Sequence, residues 1–157
     1  MVPSSCESVP WIFAHNPWIK VLRIKPELVG KWLLFFGEDA IDHEWDRISQ
    51  IVANGLLGIS AKVATKWHHE NGTRGYDHSN RVVCVYTKDC TDLDDVWRVR
   101  DALRAIGHTA PLQYKTDSAT IAGHYGELSY MIDEALGDTR SSPTTIAPMI
   151  RYVKINP

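Results

Sequence analysis

The chain has 157 residues, 44% of them hydrophobic and 23% charged, which is enough for one domain with its own buried core. Its formal net charge of −2 creates no overall field toward nucleic acid or membranes, so any anion site must be a local cluster. The odd set of three cysteines indicates a cytoplasmic protein, and the lack of a long apolar run predicts no membrane contact. The net charge predicts no bulk nucleic-acid binding.

The first half of the chain predicts an irregular segment followed by a strand, a helix and a second strand. Residues 1–28 contain prolines at positions 3, 10, 17 and 26 among scattered aromatics, a pattern typical of a segment that lies across a sheet. Lys31–Gly37 is a short apolar run typical of a buried strand. Residues 40–52 repeat apolar side chains at helical spacing, and Ile59–Lys66 alternates as a strand does.

The second half opens with a polar loop of about 14 residues, from Trp67 to Asn80, which exceeds the usual connection length. The elements expected after it are a strand at 81–87, a helix with an apolar stripe from Leu93 to Ile106, a strand at 111–116, a short helix at 127–136 and a final strand at 149–155. This order is not the strict alternation of a doubly wound fold. It predicts an α+β domain, a mostly antiparallel sheet with helices on one face.

A pair of lysines is the first candidate for an anion site. Lys62 and Lys66 stand four residues apart on a predicted strand, so their side chains leave the same face about 13 Å apart. Small residues between them leave room for a ligand, and Trp67 beside them offers a ring on which a base can stack. An ordinary solvated strand face is the alternative.

Two arginines of the second predicted helix form the next candidate. Arg98 and Arg100 carry guanidinium groups suited to phosphate, and Trp97 directly precedes Arg98 in the sequence. The alternative is that they are solubilising surface residues paired with nearby aspartates, such as Asp95 and Asp101.

A third cluster follows the strand at 111–116, where a lysine stands among hydroxyl, carboxylate and aromatic side chains before a glycine-containing turn. Its members are Tyr114, Lys115, Asp117, Thr120, His124 and Tyr125. A lysine and the backbone amides of a turn both suit phosphate, and a histidine suits acid–base chemistry near neutral pH. A histidine that only makes a hydrogen bond at the turn is the alternative.

Metal and cofactor signatures are not expected. The loop histidines His68, His69 and His78 match no standard zinc spacing. There is no glycine-rich phosphate loop, nucleophile elbow, paired-cysteine zinc motif or dinucleotide fingerprint in the sequence. We therefore predict no metal and no cofactor.

Four ordered blocks resemble the family of basophilic-leukaemia-expressed protein: GKWLLFFGEDAIDHEWDRI, GLLGISAKVATK, RVVCVYTKDCTDLDDVWRVRDALRAIG and LQYKTDSATIAGHY. The resemblance covers about residues 30–125, leaving 126–157 as a C-terminal helix and strand within a single domain, 1–157. It implies a curved antiparallel sheet backed by helices, like that of the cap-binding translation initiation factors. Its blocks include Lys62, the two arginines and the third cluster, but Ala119 and His124 depart from the family's expected aromatic and aliphatic residues.

Three functions follow as hypotheses. The first is a module that binds a phosphorylated small molecule, nucleotide or phosphopeptide through Lys62, Lys115 and an arginine. The second is a small cofactor-free enzyme with Lys62 or Lys115 as base and His124 as acid, in line with the phosphothreonine-lyase activity that the resemblance to bacterial members implies. The third is a protein-interaction domain that uses the aromatic N-terminal segment.

Overall fold

Strands and helices follow each other in an irregular order in the computed structural model, which describes residues 1–20, 23–72, 79–121 and 130–132. The elements are β1 (Trp11–His15), β2 (Gly30–Gly37), α1 (Ile41–Ala53), β3 (Ser60–Ala64), α2 (Lys66–Asn71), β4 (Asn80–Thr87), α3 (Leu93–Ala105), β5 (Gln113–Thr116), α4 (Asp117–Ile121) and β6 (Tyr130–Ile132). Within these described parts of the chain, no helix combines the length and the apolarity needed to cross a membrane.

The chain divides into two units. The first unit comprises Met1–Ile19 and Leu34–Val85, and the second unit comprises Lys20–Leu33 and Tyr86–Pro157. The strand order is β1-β3-β4-β2 in the first unit and β2-β5-β6 in the second. The single domain predicted from the length of the chain stays a prediction.

In the first unit, α1 packs against the antiparallel pair of β1 and β3. Its buried stripe recurs every three or four residues and consists of Ile41, Trp45, Ile48 and Val52. Alternate residues of β3, Ala61 and Val63, are fully buried on the side that α1 covers. The helix ends at Asn54 and Gly55, because glycine accepts the positive φ of 77° at that point. The opposite face of β1 and β3 is left for polar and aromatic side chains.

In the second unit, β5 pairs antiparallel with β2 on one side and with β6 on the other. Trp32 of β2 and Tyr114 of β5 are each 1% exposed, and their ring centroids lie 5.0 Å apart. The indole N–H of Trp32 donates to the carbonyl oxygen of Val96 in α3 at 3.0 Å, which fixes the helix to the strand pair. Asp92 caps α3 by accepting a hydrogen bond from the backbone N–H of Asp95.

The α+β class and the antiparallel sheet are confirmed, because every strand pair of known register in the described residues is antiparallel. The two predicted amphipathic helices appear as α1 and α3. The strand predicted at Lys31–Gly37 appears as β2, although Phe35 in it is 54% exposed rather than buried.

Five predictions about local structure need correction. The segment 1–28 is not irregular throughout, because Trp11, Ile12 and Phe13 favour a strand and form β1 between two prolines. The strand predicted at Ile59–Lys66 ends at Ala64, where Thr65 caps a helix.

That helix, α2, replaces the start of the loop predicted from Trp67 to Asn80, since the Thr65 side chain accepts a hydrogen bond from the backbone N–H of His68. Asp117 begins the short helix α4 instead of a turn. Within the predicted helix 127–136, residues 130–132 form β6, because pairing with β5 outweighs the local helical pattern. The predicted strand at 149–155 lies outside the described residues.

Candidate functional site

An aromatic and cationic face occurs in the first unit, on the side of β1 and β3 opposite α1. In the antiparallel register Trp11 lies across from Ala64 and Phe13 across from Lys62, so these side chains share one face. The Lys62 Nζ lies 4.0 Å from the centroid of the Trp11 ring, a cation–π contact on a half-buried surface. The lysine charge is thereby held against a flat apolar ring.

The short helix α2 adds a second ring to this face. The centroids of the Trp11 and His68 rings lie 4.2 Å apart, with the ring planes tilted by 56°. Thr65 fixes the start of α2 twice, because it caps the helix and also donates its hydroxyl to the carbonyl oxygen of Val9 at 2.5 Å. The backbone N–H of Trp67 donates to the carbonyl oxygen of Cys6 at 3.0 Å, which ties α2 to the N-terminal segment.

The pKa of His68 reflects the burial and the positive charge of this face. Its pKa is lowered, first by burial and then by the positive charges of Lys62 and His69. The imidazole is therefore held in its neutral form over a wider pH range than in a solvated peptide. An anion placed beside Lys62 and His68 would reverse this shift, because it favours the protonated ring.

Lys66 does not share the strand face predicted for it, because it is the first residue of α2 rather than part of β3. Its Nζ lies 2.5 Å from a carboxylate oxygen of Glu7 and 3.8 Å from one of Glu70. The hydrogen bond and charge of Glu7 raise the pKa of Lys66. Trp67, the predicted stacking residue, is 38% exposed on the same helix.

In the second unit, the register of β2 and β5 places Lys31 directly across from Lys115. Both residues are nearly inaccessible, at 4% and 2% exposure, and directly paired side chains have Cβ atoms about 5 Å apart. The Lys31 Nζ lies 2.6 Å from a carboxylate oxygen of Asp117 and 5.5 Å from the centroid of the Tyr86 ring. Two buried lysines thus lie beside a carboxylate whose side chain is 31% exposed.

The neighbouring predicted residues have structural contacts. The Tyr114 hydroxyl lies 2.6 Å from that of Thr87 inside the core, and burial raises the pKa of Tyr114 well above its ordinary value. The Thr120 hydroxyl donates to the carbonyl oxygen of Thr116 at 3.3 Å. His124 and Tyr125 lie outside the described residues.

The two arginines of α3 are held by acidic neighbours. Arg98 donates twice to one carboxylate oxygen of Asp95, at 3.0 and 2.8 Å. Arg100 is 2% exposed, lies 4.2 Å above the centroid of the Trp97 ring, and donates to Asp101 at 3.1 and 2.9 Å. The ligand roles predicted for these arginines and for the lysines stay predictions.

Sequence reasoning missed two residues of these clusters, Trp11 and Lys31. The alternation of aromatic residues at positions 11, 13 and 15 is a strand signal that the surrounding prolines obscured. Nothing in the sequence aligns Lys31 with Lys115, because cross-strand pairing depends on the register. Among the described residues, no group of three or more histidine, cysteine, aspartate or glutamate side chains is placed to hold a metal ion.

Solved structures of cap-binding proteins are similar to this chain. Caenorhabditis elegans eIF4E-3, in complex with the 4E-binding protein Mextli and a cap analog, is 20% identical with a TM-score of 0.49, and the match covers 71% of this chain and 65% of that one. Ascaris suum eIF4E-3 with the m2,2,7G cap is 20% identical with a TM-score of 0.44, covering 68% of this chain and 62% of that one. The same protein with the m7G cap gives 19% identity, a TM-score of 0.43 and the same coverage.

This chain therefore spans less than two thirds of the length of those structures, at 65%, 62% and 62%. The family model of basophilic leukemia-expressed protein Bles03 matches residues 19–122, which is more than half of the sequence. The chain belongs to the Bles03 family.

Proposed function

We propose that this protein binds a phosphorylated ligand with an aromatic ring, of the nucleotide type, on the face formed by Trp11, Lys62 and His68. One observation carries the proposal: the Lys62 ammonium lies 4.0 Å from the Trp11 ring centroid, and that ring lies 4.2 Å from the His68 ring. A cation and two rings within one half-buried patch match a ligand that joins an anion to a flat base.

Each residue has a distinct part in this proposal. Lys62 donates a charge-assisted hydrogen bond to a phosphate oxygen, worth about 1.5–3 kcal/mol. The Trp11 ring stacks on the base, worth about 1–3 kcal/mol. His68 donates a ring N–H to the phosphate, worth about 1.5–3 kcal/mol when the ring is protonated. The sum, about 4–9 kcal/mol, corresponds to a Kd between about 1 mM and about 0.3 µM.

A local site of this kind suits the net charge of the chain. With a net charge of −2 the protein has no overall attraction for anions, so a phosphate must be bound by the side chains that contact it. Lys62 supplies a positive charge at a half-buried position, where solvent screens it less than at a fully exposed one. The expected specificity is therefore for the combination of phosphate and base.

Isothermal titration calorimetry at low salt tests the proposal. AMP, the cap analog m7GTP and a phosphoserine peptide are compared with adenosine and inorganic phosphate, each of which offers only half of the recognised chemistry. Nucleotides are expected to bind at least about tenfold more tightly than adenosine or inorganic phosphate does. A tenfold difference in Kd is the effect of one lost interaction of about 1.4 kcal/mol. Equal binding by phosphate alone, or no binding by any nucleotide, contradicts the proposal.

A tryptophan variant separates stacking from non-specific effects. Trp11→Leu is expected to remove the advantage of AMP over inorganic phosphate, because the base loses its ring. Trp18→Leu is the matched control, since Trp18 belongs to the same unit and is 78% exposed. It is expected to bind AMP as the unaltered protein does.

A second candidate, a cofactor-free lyase with a lysine base, is favoured by the position of Lys31 across from Lys115. One of the two lysines, as the neutral amine, would be the base that abstracts a proton. In a phosphothreonine peptide this amine would take the proton next to the carbonyl group while phosphate leaves, with His124 as acid. Mass spectrometry of such peptides tests it: loss of phosphoric acid that disappears in Lys115→Met supports the lyase, and intact peptides contradict it.

A further inference from the structure

A row of three aromatic rings runs along β1 and extends beyond the Trp11 ring. Trp11, Phe13 and His15 occupy alternate positions, so their side chains leave the same face about 6.7 Å apart. The Phe13 and His15 rings are parallel within 1°, and their centroids lie 6.1 Å apart. Phe13 is 55% exposed and His15 is also exposed, so both rings are open to a partner.

Polar groups on β3 accompany this row. The register places Lys62 directly across from Phe13, the middle ring, and Ser60 across from His15. The surface thus combines flat apolar rings at regular intervals with a cation and a hydroxyl beside them. Single-stranded nucleic acid repeats the complementary pattern, a flat base and an anionic phosphate in every unit.

We infer that the row Trp11, Phe13 and His15 binds a short single-stranded oligonucleotide, one base on each ring. This inference rests on the proposed nucleotide site at Trp11 and deepens it by naming a polymer as the ligand. Sheets that present two or three aromatic side chains on one face bind unstacked bases in this manner. Stacking tolerates any base because every base has a flat face, so the expected recognition depends little on sequence.

The single lysine beside the row distinguishes this binding from a general electrostatic attraction to nucleic acid. Lys62 is placed to neutralise one phosphate, so the affinity is expected to fall with salt with a logarithmic slope of about −0.7. A protein that binds nucleic acid mainly through charge shows a slope several times steeper. Contact through stacking is therefore compatible with the net charge of −2.

Calorimetry with a length series tests the inference: AMP, then the 5′-phosphorylated di-, tri- and hexanucleotides of adenosine. Each added nucleotide up to the third is expected to tighten binding at least about fivefold, and further length is expected to add little. The same series in deoxyadenosine shows whether the partner is RNA alone or any single strand, since rings that only stack do not distinguish the two sugars.

Two variants assign the gain to individual rings. Phe13→Ala is expected to abolish the advantage of the trinucleotide over AMP and to leave AMP binding unchanged. His15→Ala is expected to remove only the gain from the third nucleotide. Phe35→Ala is the matched control, because Phe35 is 54% exposed and β2 lies three strands from β1 in the first unit, about 14 Å away.

The outcomes separate this inference from the proposed function. The inference of an oligonucleotide site is contradicted, and the proposed nucleotide site is not, in two cases. In the first, AMP binds but affinity does not increase with length; in the second, Phe13→Ala and Phe35→Ala have the same effect on the affinity for the trinucleotide. If neither AMP nor any oligonucleotide binds, both fail. Because Phe13 is largely exposed, the variant is expected to fold, and thermal unfolding checks this. If Phe13→Ala does not fold, His15→Ala alone decides. An undiminished gain in affinity from the third nucleotide in that variant contradicts the inference.

Discussion

Replacing Lys62 with methionine is expected to weaken AMP binding about 10- to 150-fold without unfolding the protein. The substitution removes one charge-assisted hydrogen bond of about 1.5–3 kcal/mol, and 1.4 kcal/mol is a factor of ten in Kd. It also removes the cation–π contact with Trp11, worth about 0.5–1 kcal/mol. The methionine sulfur contacts aromatic rings with an energy of about 0.3–1.5 kcal/mol, so the free energy of unfolding should change by less than about 1 kcal/mol.

Calorimetry with AMP and urea unfolding measure the two quantities separately. Lys66→Met is the matched control, because it removes the same charge from a residue four positions away whose Nζ is bound to Glu7 at 2.5 Å. It is expected to bind AMP with unchanged affinity. The reasoning is refuted if both variants lose affinity equally, or if Lys62→Met stays within about threefold of the unaltered protein.

The remaining predictions concern stability, measured by urea unfolding. Burial, reinforced by neighbouring positive charges, lowers the pKa of His68 below its unfolded value of about 6.5. The folded state should therefore lose stability as the pH falls from 7 through that lowered pKa, and His68→Gln should flatten this dependence. Gly30→Ala places a Cβ 2.0 Å from the buried Tyr114 hydroxyl, which should cost about 1–3 kcal/mol or more. Asp117→Asn leaves the buried Lys31 ammonium without this carboxylate, at a cost of about 1.5–3 kcal/mol.

Each of these predictions has a control in the same chain. His69→Gln should flatten the pH dependence of stability less than His68→Gln does, since His69 makes the smallest of the three contributions, after burial and Lys62, that lower the pKa of His68. Gly37→Ala should cost much less than the change at Gly30, because its Cβ would meet only the side-chain oxygen of Asp39. Lys31→Met should cost less than Asp117→Asn, because it removes the buried charge itself. The reverse order in any of these comparisons contradicts the corresponding argument.

The regular elements were predictable where the local pattern and the tertiary environment agree. The stripe from Ile41 to Val52 forms the buried face of α1, and that from Leu93 to Ile106 is the face on which α3 packs, because helical spacing alone brings such residues to one side. β1 and α2 were missed for the opposite reason. Both are short, and their formation depends on pairing with β3 and on the cap at Thr65, neither of which a local pattern contains.

The candidate sites were predictable in residue type but not in grouping. Lys62 and Lys115 are cations suited to phosphate by residue type, but the partners that define their surroundings come from distant parts of the sequence. Trp11 reaches Lys62 because β1 pairs with β3, and Lys31 reaches Lys115 because β2 pairs with β5. A change of one residue in either register would send these side chains to opposite faces, and no composition or spacing rule fixes the register.

Burial assigns different chemistry to the two lysine clusters. Lys62 is half-buried on an aromatic surface, so the residue is partly exposed to solvent. Lys115 is 2% exposed and lies across from Lys31, where the low dielectric strengthens every charge interaction and a ligand must displace protein atoms to enter. Binding is therefore the function to test at Lys62, and proton transfer the one to test at Lys115. A variant of Lys62 should change affinity at constant stability, whereas a variant of Lys115 should change stability whether or not it is catalytic.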